Sequence, residues 1–287
     1  MKKWIKILLE LNKVRITVAV TLTTMAGYIL AKGTVDVEMV MPVLGIFILA
    51  CGSAALNHIQ DRDKDVIMPR TSNRPIPSGD LSTTMALVIG LSEIIIGSAL
   101  IYYGSGFLAM QLGILALIWY NGIYTPLKRK TAFAVIPGSV IGAIPPLVGW
   151  VAAGGSLLDP KAMVLGLFFF MWQVPHFWLL MLKYGEEYNK AGFPSITSKI
   201  SKQQVKNSTF LWTVATAVSA LMVAMSGLIS LLIFKIMILV ASIWLIAVFS
   251  KLLNPRTQNF NPFYYFMRIN YFVLIMILVL SIEPLVN

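Results

Sequence analysis

Acidic side chains are scarce in this chain, with 12 Asp and Glu in 287 residues against 23 Lys and Arg. There is little acidic background, so any local gathering of carboxylates stands out. Cysteine is scarcer still. The one cysteine, Cys51, lies in an apolar run, which excludes a disulfide framework or a cysteine metal site and leaves a small buried hydrophobe. Histidine occurs only as His58 and His176. Charged residues of all kinds make up 12%, against 57% hydrophobic residues and a mean hydropathy of +0.79, which excludes an ordinary soluble globular domain. A membrane protein is expected.

What is abundant is long apolar runs. Those able to cross a bilayer, about 20 residues each, lie near 15–31, 39–58, 82–103, 106–124, 132–152, 161–182, 208–228, 231–250 and 263–282. The expected fold class is therefore all-α, a polytopic membrane protein of nine transmembrane helices in a single domain over 1–287, with tight hairpins at Gly104-Ser105-Gly106 and across 226–230. Residues 1–14 set Lys2, Lys3, Lys6 and Lys13 among Trp4, Ile5, Leu8 and Leu9, the pattern of an interfacial helix resting on the lipid bilayer. No small-residue cleavage site follows the apolar part, which argues against a secretory signal.

The net charge of +11 raises the question of nucleic acid. With the N-terminus inside, 20 of the 23 Lys and Arg fall in inner segments, and only Lys32, Lys161 and Lys235 fall on the other side. The basic excess is then an orientation signal. It implies a cell inner (cytoplasmic) membrane protein with a cytoplasmic N-terminus and an outer C-terminus, and no nucleic-acid partner. The long polar segments 59–81 and 183–207 share the inner face, so chemistry is expected there.

The acids do gather. Asp61, Asp63, Asp65 and Asp80 fall within twenty positions. If the preceding helix continues, Asn57, Asp61 and Asp65 share one face and Asp63 is turned away. Two carboxylates and an amide are hard oxygen ligands that suit Mg²⁺, which keeps waters and takes further ligands from a substrate's phosphates. Arg70 and Arg74 offer forked donors to phosphate or carboxylate; the alternative is a self-neutralising solvated loop. Past the fourth run, Lys128-Arg129-Lys130 is either a stop-transfer anchor or a cap on a metal-held diphosphate, taking up charge that develops on a leaving group.

Further along, Pro145-Pro146 breaks a span and is expected to line a cavity. Glu93, alone in the third span, is either functional or a protonated, hydrogen-bonded carboxyl. Trp172, Gln173, His176, Phe177 and Trp178 crowd the sixth span around Pro175, and they suggest a pocket for a flat conjugated molecule. His58 is read as structural. A second acidic pair, Glu186 and Glu187, lies in the same inner region as the first, so the two together suggest a funnel that holds a diphosphate through two or more Mg²⁺ ions.

The frame Asn57-x-x-x-Asp61-x-x-x-Asp65 followed by Met68-Pro-Arg70-Thr-Ser-Asn-Arg74-Pro resembles the first motif of the UbiA superfamily of intramembrane prenyltransferases. Tyr124-Thr with its basic run, Pro145-Pro-Leu-Val-Gly-Trp150, Pro175-His-Phe-Trp178, Glu187-Tyr188 and Ala191-Gly-x-Pro194 are similar to the heme-farnesylating branch, with a weaker echo in Phe266-Met-Arg-Ile-Asn270. The resemblance implies a cavity open to the cytoplasmic face, Mg²⁺-dependent binding of farnesyl diphosphate, and farnesyl transfer to a vinyl of protoheme IX, heme B being the acceptor and heme O the product. It places Asn57, Asp61 and Asp65, with Glu186 and Glu187, at metal, Arg70 and Arg74 at anionic groups, and His176 near the heme. Tyr124, Lys128, Arg129, Gln173, Trp178 and Tyr188 would contact substrate. The chain departs from the pattern in carrying Glu186-Glu187 where Asp-Asp is usual, and Ser195-Ile-Thr-Ser-Lys-Ile where a Met-Leu-Pro run is usual. Two other readings remain open: a UbiA-type enzyme acting on an aromatic, quinone-precursor or lipid acceptor, and a multi-span transporter.

Overall fold

The computed structural model describes residues 2–254 and 260–287, and among them the regular structure is entirely helical. Helix α1 (Lys2–Leu11) turns Ile7 and Leu11 onto Ala55, Leu81 and Ala86, while Trp4, Ile5, Leu8 and Leu9 stay exposed. A short helix apolar on both sides, with one side against protein, has its other side free for lipid. Then follow α2 (Val14–Lys32), α3 (Val40–Asp65), α4 (Thr83–Leu117), α5 (Val140–Ala152), α6 (Pro160–Lys190), α7 (Lys202–Met225), α8 (Leu232–Phe249) and α9 (Pro262–Val286).

Their ends are written in the sequence. Ser82 accepts from the Met85 N–H to start α4, Asp159 caps α6 ahead of Pro160, Ser201 and Gln204 form a capping box on α7, and Asn261 caps α9 ahead of Pro262. Gly33 closes α2 with a left-handed φ of 78°.

Eight helical stretches among the described residues are long and apolar enough to cross a membrane, against the nine expected. The difference lies at Thr83–Leu127, one stretch of 45 residues. A straight helix of that length would run about 68 Å, twice the hydrocarbon thickness. It breaks at Gly106 instead, where φ is 83° and ψ is −175°. Before the break, Gly90, Gly97 and Gly104 meet α3 at Ala55, Leu49 and Met41 in turn; beyond it, Gly113 meets Leu49 and Asn121 bonds Ser53. The two arms therefore run antiparallel beside α3, and a single glycine performs the reversal, which leaves no loop to separate two runs.

Helices α3 and α4 approach closely because a Cβ at Gly97 would lie 2.5 Å from the Leu49 nitrogen. Small residues that let backbones meet are a main source of adhesion between helices in lipid. The same device joins α2 to α5, where side chains at Gly27 and Gly149 would overlap the carbonyls of Pro146 and Thr24. Pro146 thus sits in a helix–helix contact, and neither it nor Pro145, buried next to it, lines the cavity described below. Helix α9 packs on α2 and α6 and closes the bundle into a ring. One core, around Leu165, Phe168, Phe169, Ile238, Leu245 and Phe272, joins α6 to α9; a second, around Ile46, Leu49, Ile101 and Val148, joins α3, α4 and α5.

Candidate active site

Helix α3 continues to Asp65, so the period of 3.6 brings Asn57, Asp61 and Asp65 inward while Asp63 stays 56% exposed at its side chain. The helix then stops. Thr71 Oγ1 donates to the Asp65 carbonyl at 3.0 Å, and the turns that follow bring Arg74 back onto Asp65, where Nη1 meets both carboxylate oxygens at 2.9 and 2.8 Å. Arg70 instead points outward with its guanidinium 5.0 Å from the Tyr184 ring centroid.

Asp61 is met from the segment that follows Tyr124. Lys128 Nζ lies 2.5 Å from Oδ2, Asn57 Nδ2 donates to the same oxygen at 3.0 Å, and Oδ1 is buried with no hydrogen bond among the described residues. Arg129 pairs chiefly with Asp63, at 2.7 and 3.2 Å, donates to the Gln60 carbonyl, and reaches Asp61 Oδ1 only at 3.6 Å. Asn57 is also held by Thr125 at 3.1 Å and by Lys13 Nζ at 2.5 Å. Lys13 sits in the left-handed region, φ 44°, at the turn between α1 and α2. Burial first, then the like charges of Arg74 and Lys128, lower its pKa to about 7. Arg74 and Lys128 thus balance two buried carboxylates, and Lys13, held partly neutral beside them, would take up its full charge when an anion arrives.

A cavity of about 70 Å³ opens beside this cluster, lined by Tyr124, Lys128, Phe177, Tyr188 and Phe193 among others. Lys128 Nζ lies 5.7 Å from both the Tyr124 and Phe193 ring centroids, within cation–π range. A π-helical turn over Ile118–Tyr124 stacks Tyr120 on Tyr124 with centroids 5.8 Å apart. From Tyr124 the aromatic wall continues to Phe177 at 5.9 Å and on to His176 at 5.6 Å. His176 also packs on Trp172 and Phe266, at 5.0 and 4.6 Å, and its Nδ1 lies 2.9 Å from Asn270 Oδ1 on α9.

Most of the expected residues converge: Asn57, Asp61, Asp65, Arg74, Tyr124, Lys128, Tyr188 and, through Phe177, His176. Others do not. Trp178, two positions beyond His176 and so on the opposite side of α6, is buried with Val135, Val174 and Ile196 and packs on Trp212 at 6.3 Å. Gln173 is half-buried against Gly142. Glu186 is exposed, while Glu187 buries one oxygen, Oε2, that has no hydrogen-bond partner among the described residues. Glu93 accepts from Asn12 at 2.7 Å, which ties α4 to the end of α1. His58 is fully buried on α3.

Lys13, Thr125, Phe193 and Asn270 were not anticipated, nor was the network in which Asn121 bonds Ser53 and Gln60. Asn121 carried a signal, a polar side chain within an apolar span. Lys13 carried none, because its partner is 44 positions away.

Among the described residues no three His, Cys, Asp or Glu side chains converge as a metal group. The donor set nonetheless fits Mg²⁺: Asn57, Asp61 and Asp65 offer oxygen only, Asp61 Oδ1 is buried without a hydrogen bond, and a hard ion of this kind takes one or two carboxylates and fills the rest with water and phosphate.

A family model described as the UbiA prenyltransferase family matches residues 20–272. A protoheme IX farnesyltransferase of Oleidesulfovibrio alaskensis is 34% identical over 97% of this chain and 96% of its own length. One of Geobacter sulfurreducens is 38% identical over 77% and 81%. Among solved structures, a digeranylgeranylglyceryl phosphate synthase covers all of both chains at a TM-score of 0.81 and 17% identity. A UbiA homolog from Archaeoglobus fulgidus bound to DMAPP and Mg²⁺ covers 97% of this chain and 99% of its own, at 0.70 and 13% identity. At such identities the structural likeness speaks to the fold alone.

Proposed function

The chain belongs to the UbiA prenyltransferase family, and from that premise we propose that it transfers the farnesyl group of farnesyl diphosphate to a vinyl group of protoheme IX, making heme O. It is a prenyltransferase of multi-pass membrane character. The relatives' activity supports the heme acceptor, and one observation in this chain carries it. An unbroken aromatic wall runs from Lys128, on Asp61, through Tyr124 and Phe177 to His176, and a heme held at His176 would lie along it beside a diphosphate held at Lys128.

Asn57, Asp61 and Asp65 would hold Mg²⁺, the ion that the Archaeoglobus homolog binds. The ion, when bound, supplies positive charge to the diphosphate oxygens. Lys128, with Arg74 as it shifts from Asp65 and Lys13 as it shifts from the Asn57 amide oxygen, takes up charge on the leaving diphosphate as the C1–O bond breaks and its electron pair departs with oxygen. Tyr124, Phe177 and Phe193 keep water from the allylic cation and stabilise it with their ring faces. The terminal vinyl carbon supplies the electron pair for the new C–C bond. Water then adds to the cation left beside the porphyrin and loses a proton, giving a hydroxyethylfarnesyl substituent.

Three further points belong to the same reading. The Lys and Arg bias supports a cell inner membrane with the N-terminus, and with it this site, on the cytoplasmic face. Glu187, with its unpartnered oxygen, and Glu186 would serve a second ion on the far side of the diphosphate. Arg70, exposed over Tyr184, would meet the diphosphate as it enters.

Asp65→Asn tests the reading. It removes a metal ligand but keeps an acceptor for Arg74, so Mg²⁺-dependent prenyl transfer should fall at least a hundredfold in a protein that still melts cooperatively. Full activity would overturn the metal assignment.

A further inference from the structure

Asn270 lies outside the diphosphate cluster, yet its hydrogen bonds decide the chemistry of His176. Its side-chain Nδ2 donates to the Phe266 carbonyl, one turn back on α9, at 2.7 Å. The reverse orientation would press two oxygens together with no proton between them, so the amide has one allowed setting. In that setting Oδ1, which can only accept, faces His176 Nδ1 at 2.9 Å. Nδ1 must therefore be the protonated nitrogen, and in the neutral ring the lone pair is left on Nε2. The hydrogen bond of His176 among the described residues is the one at Nδ1, which leaves Nε2 uncommitted. The ring is held by Trp172, Phe177 and Phe266, with centroids 5.0, 5.6 and 4.6 Å away, so its direction as well as its tautomer is set.

A histidine whose far nitrogen is tied to a fixed oxygen, and whose near nitrogen is bare in an aromatic pocket, is the arrangement that presents imidazole to a metal. We propose that Asn270 is a positioning residue which locks His176 in the Nδ1–H tautomer, so that Nε2 ligates the iron of the acceptor heme. This deepens the heme reading above and rests on it. Ligation would hold the porphyrin beside Phe177 and Tyr124, and so beside the diphosphate. It would also give the enzyme a grip that a phenolic or quinone acceptor cannot use.

The test is optical and EPR titration of the purified full-length protein with ferric heme B, with farnesyl diphosphate affinity measured in parallel. The wild type should show an imidazole-ligated spectrum. His176→Ala should lose that spectrum and regain it with added imidazole. Asn270→Leu should weaken heme binding by 10–100-fold, the usual effect of removing such a hydrogen bond behind a metal ligand. Asn270→Asp keeps an acceptor for Nδ1 but, unless protonated, sets its second oxygen against the Phe266 carbonyl, so it should retain ligation with a heme affinity between those of the wild type and Asn270→Leu. All three should hold farnesyl diphosphate within twofold of wild type. A wild-type spectrum in His176→Ala would overturn the ligand assignment. Unchanged heme affinity and spectrum in Asn270→Leu would overturn the positioning role. Failure of the wild type to bind heme at all, with farnesyl diphosphate still bound, would overturn the acceptor reading itself.

Discussion

Replacing Lys128 by Met separates the two tasks assigned to that residue. The substitution keeps an unbranched chain against Tyr124 and Phe193 but removes the ammonium 2.5 Å from Asp61 Oδ2. Both side chains are largely buried, 16% exposed for Lys128 and 7% for Asp61. Taking one member from a buried ion pair costs roughly 3–5 kcal/mol, because the other is left uncompensated. Here Asn57 still donates to Asp61 at 3.0 Å and Arg129 stands 3.6 Å away, so the loss falls below that range, at about 2–3 kcal/mol. Mg²⁺ changes the outcome. With the ammonium gone the carboxylate is a better metal ligand, and an ion at a hundred times its dissociation constant returns about 2.7 kcal/mol. Melting of the purified protein with and without Mg²⁺ should show a drop of several degrees in the variant, largely erased by the ion, while the wild type responds less. Prenyl transfer should remain down by about 10²–10³ in kcat even with Mg²⁺, since a cation aimed at developing charge is missing. A variant that melts like wild type in the absence of Mg²⁺, or whose melting ignores the ion, would refute this account of Asp61.

Arg129→Ala should be mild, costing at most about 1 kcal/mol, because its main partner Asp63 is more than half exposed. Turnover compared with Lys128→Met checks it, and equal losses in the two variants would mean that the neighbouring cations share one role. Gly149→Val drives a side chain into the Thr24 carbonyl at the α2–α5 contact and should cost about 3 kcal/mol or more. The yield of monodisperse protein measures this directly, and a normal yield and melt would contradict the close approach of those helices.

The helical class and the acidic half of the site were legible because both follow from local periodicity. Apolar runs of bilayer length announced the spans, and a spacing of four placed Asn57, Asp61 and Asp65 on one face before any contact was known. The hairpin expected at Gly104-Ser105-Gly106 is the reversal at Gly106, and because that reversal leaves no loop, eight long helical stretches among the described residues hold what were read as nine runs. Pro145 and Pro146 were assigned to a cavity because a proline in a span signals disrupted backbone, but not whether the neighbour is solvent, ligand or, as here, the bare backbone at Gly27. Trp178 was grouped with His176 by nearness in sequence, although two residues apart on a helix face opposite ways. Lys13, read as part of an interfacial helix, and Asn270, present as the end of a weak motif echo, gave no sign of their places in the site, since each acquires its meaning from a partner on another helix, 44 and 94 positions away.

The most direct measurement is mass spectrometry of the heme recovered after the purified protein is incubated with farnesyl diphosphate, Mg²⁺ and an equal supply of heme B and a phenolic quinone precursor. Heme bearing one added farnesyl group and the elements of water, formed only with Mg²⁺ and absent in Asp65→Asn, is the expected result. Unmodified heme beside a prenylated phenol would contradict the assignment of the acceptor.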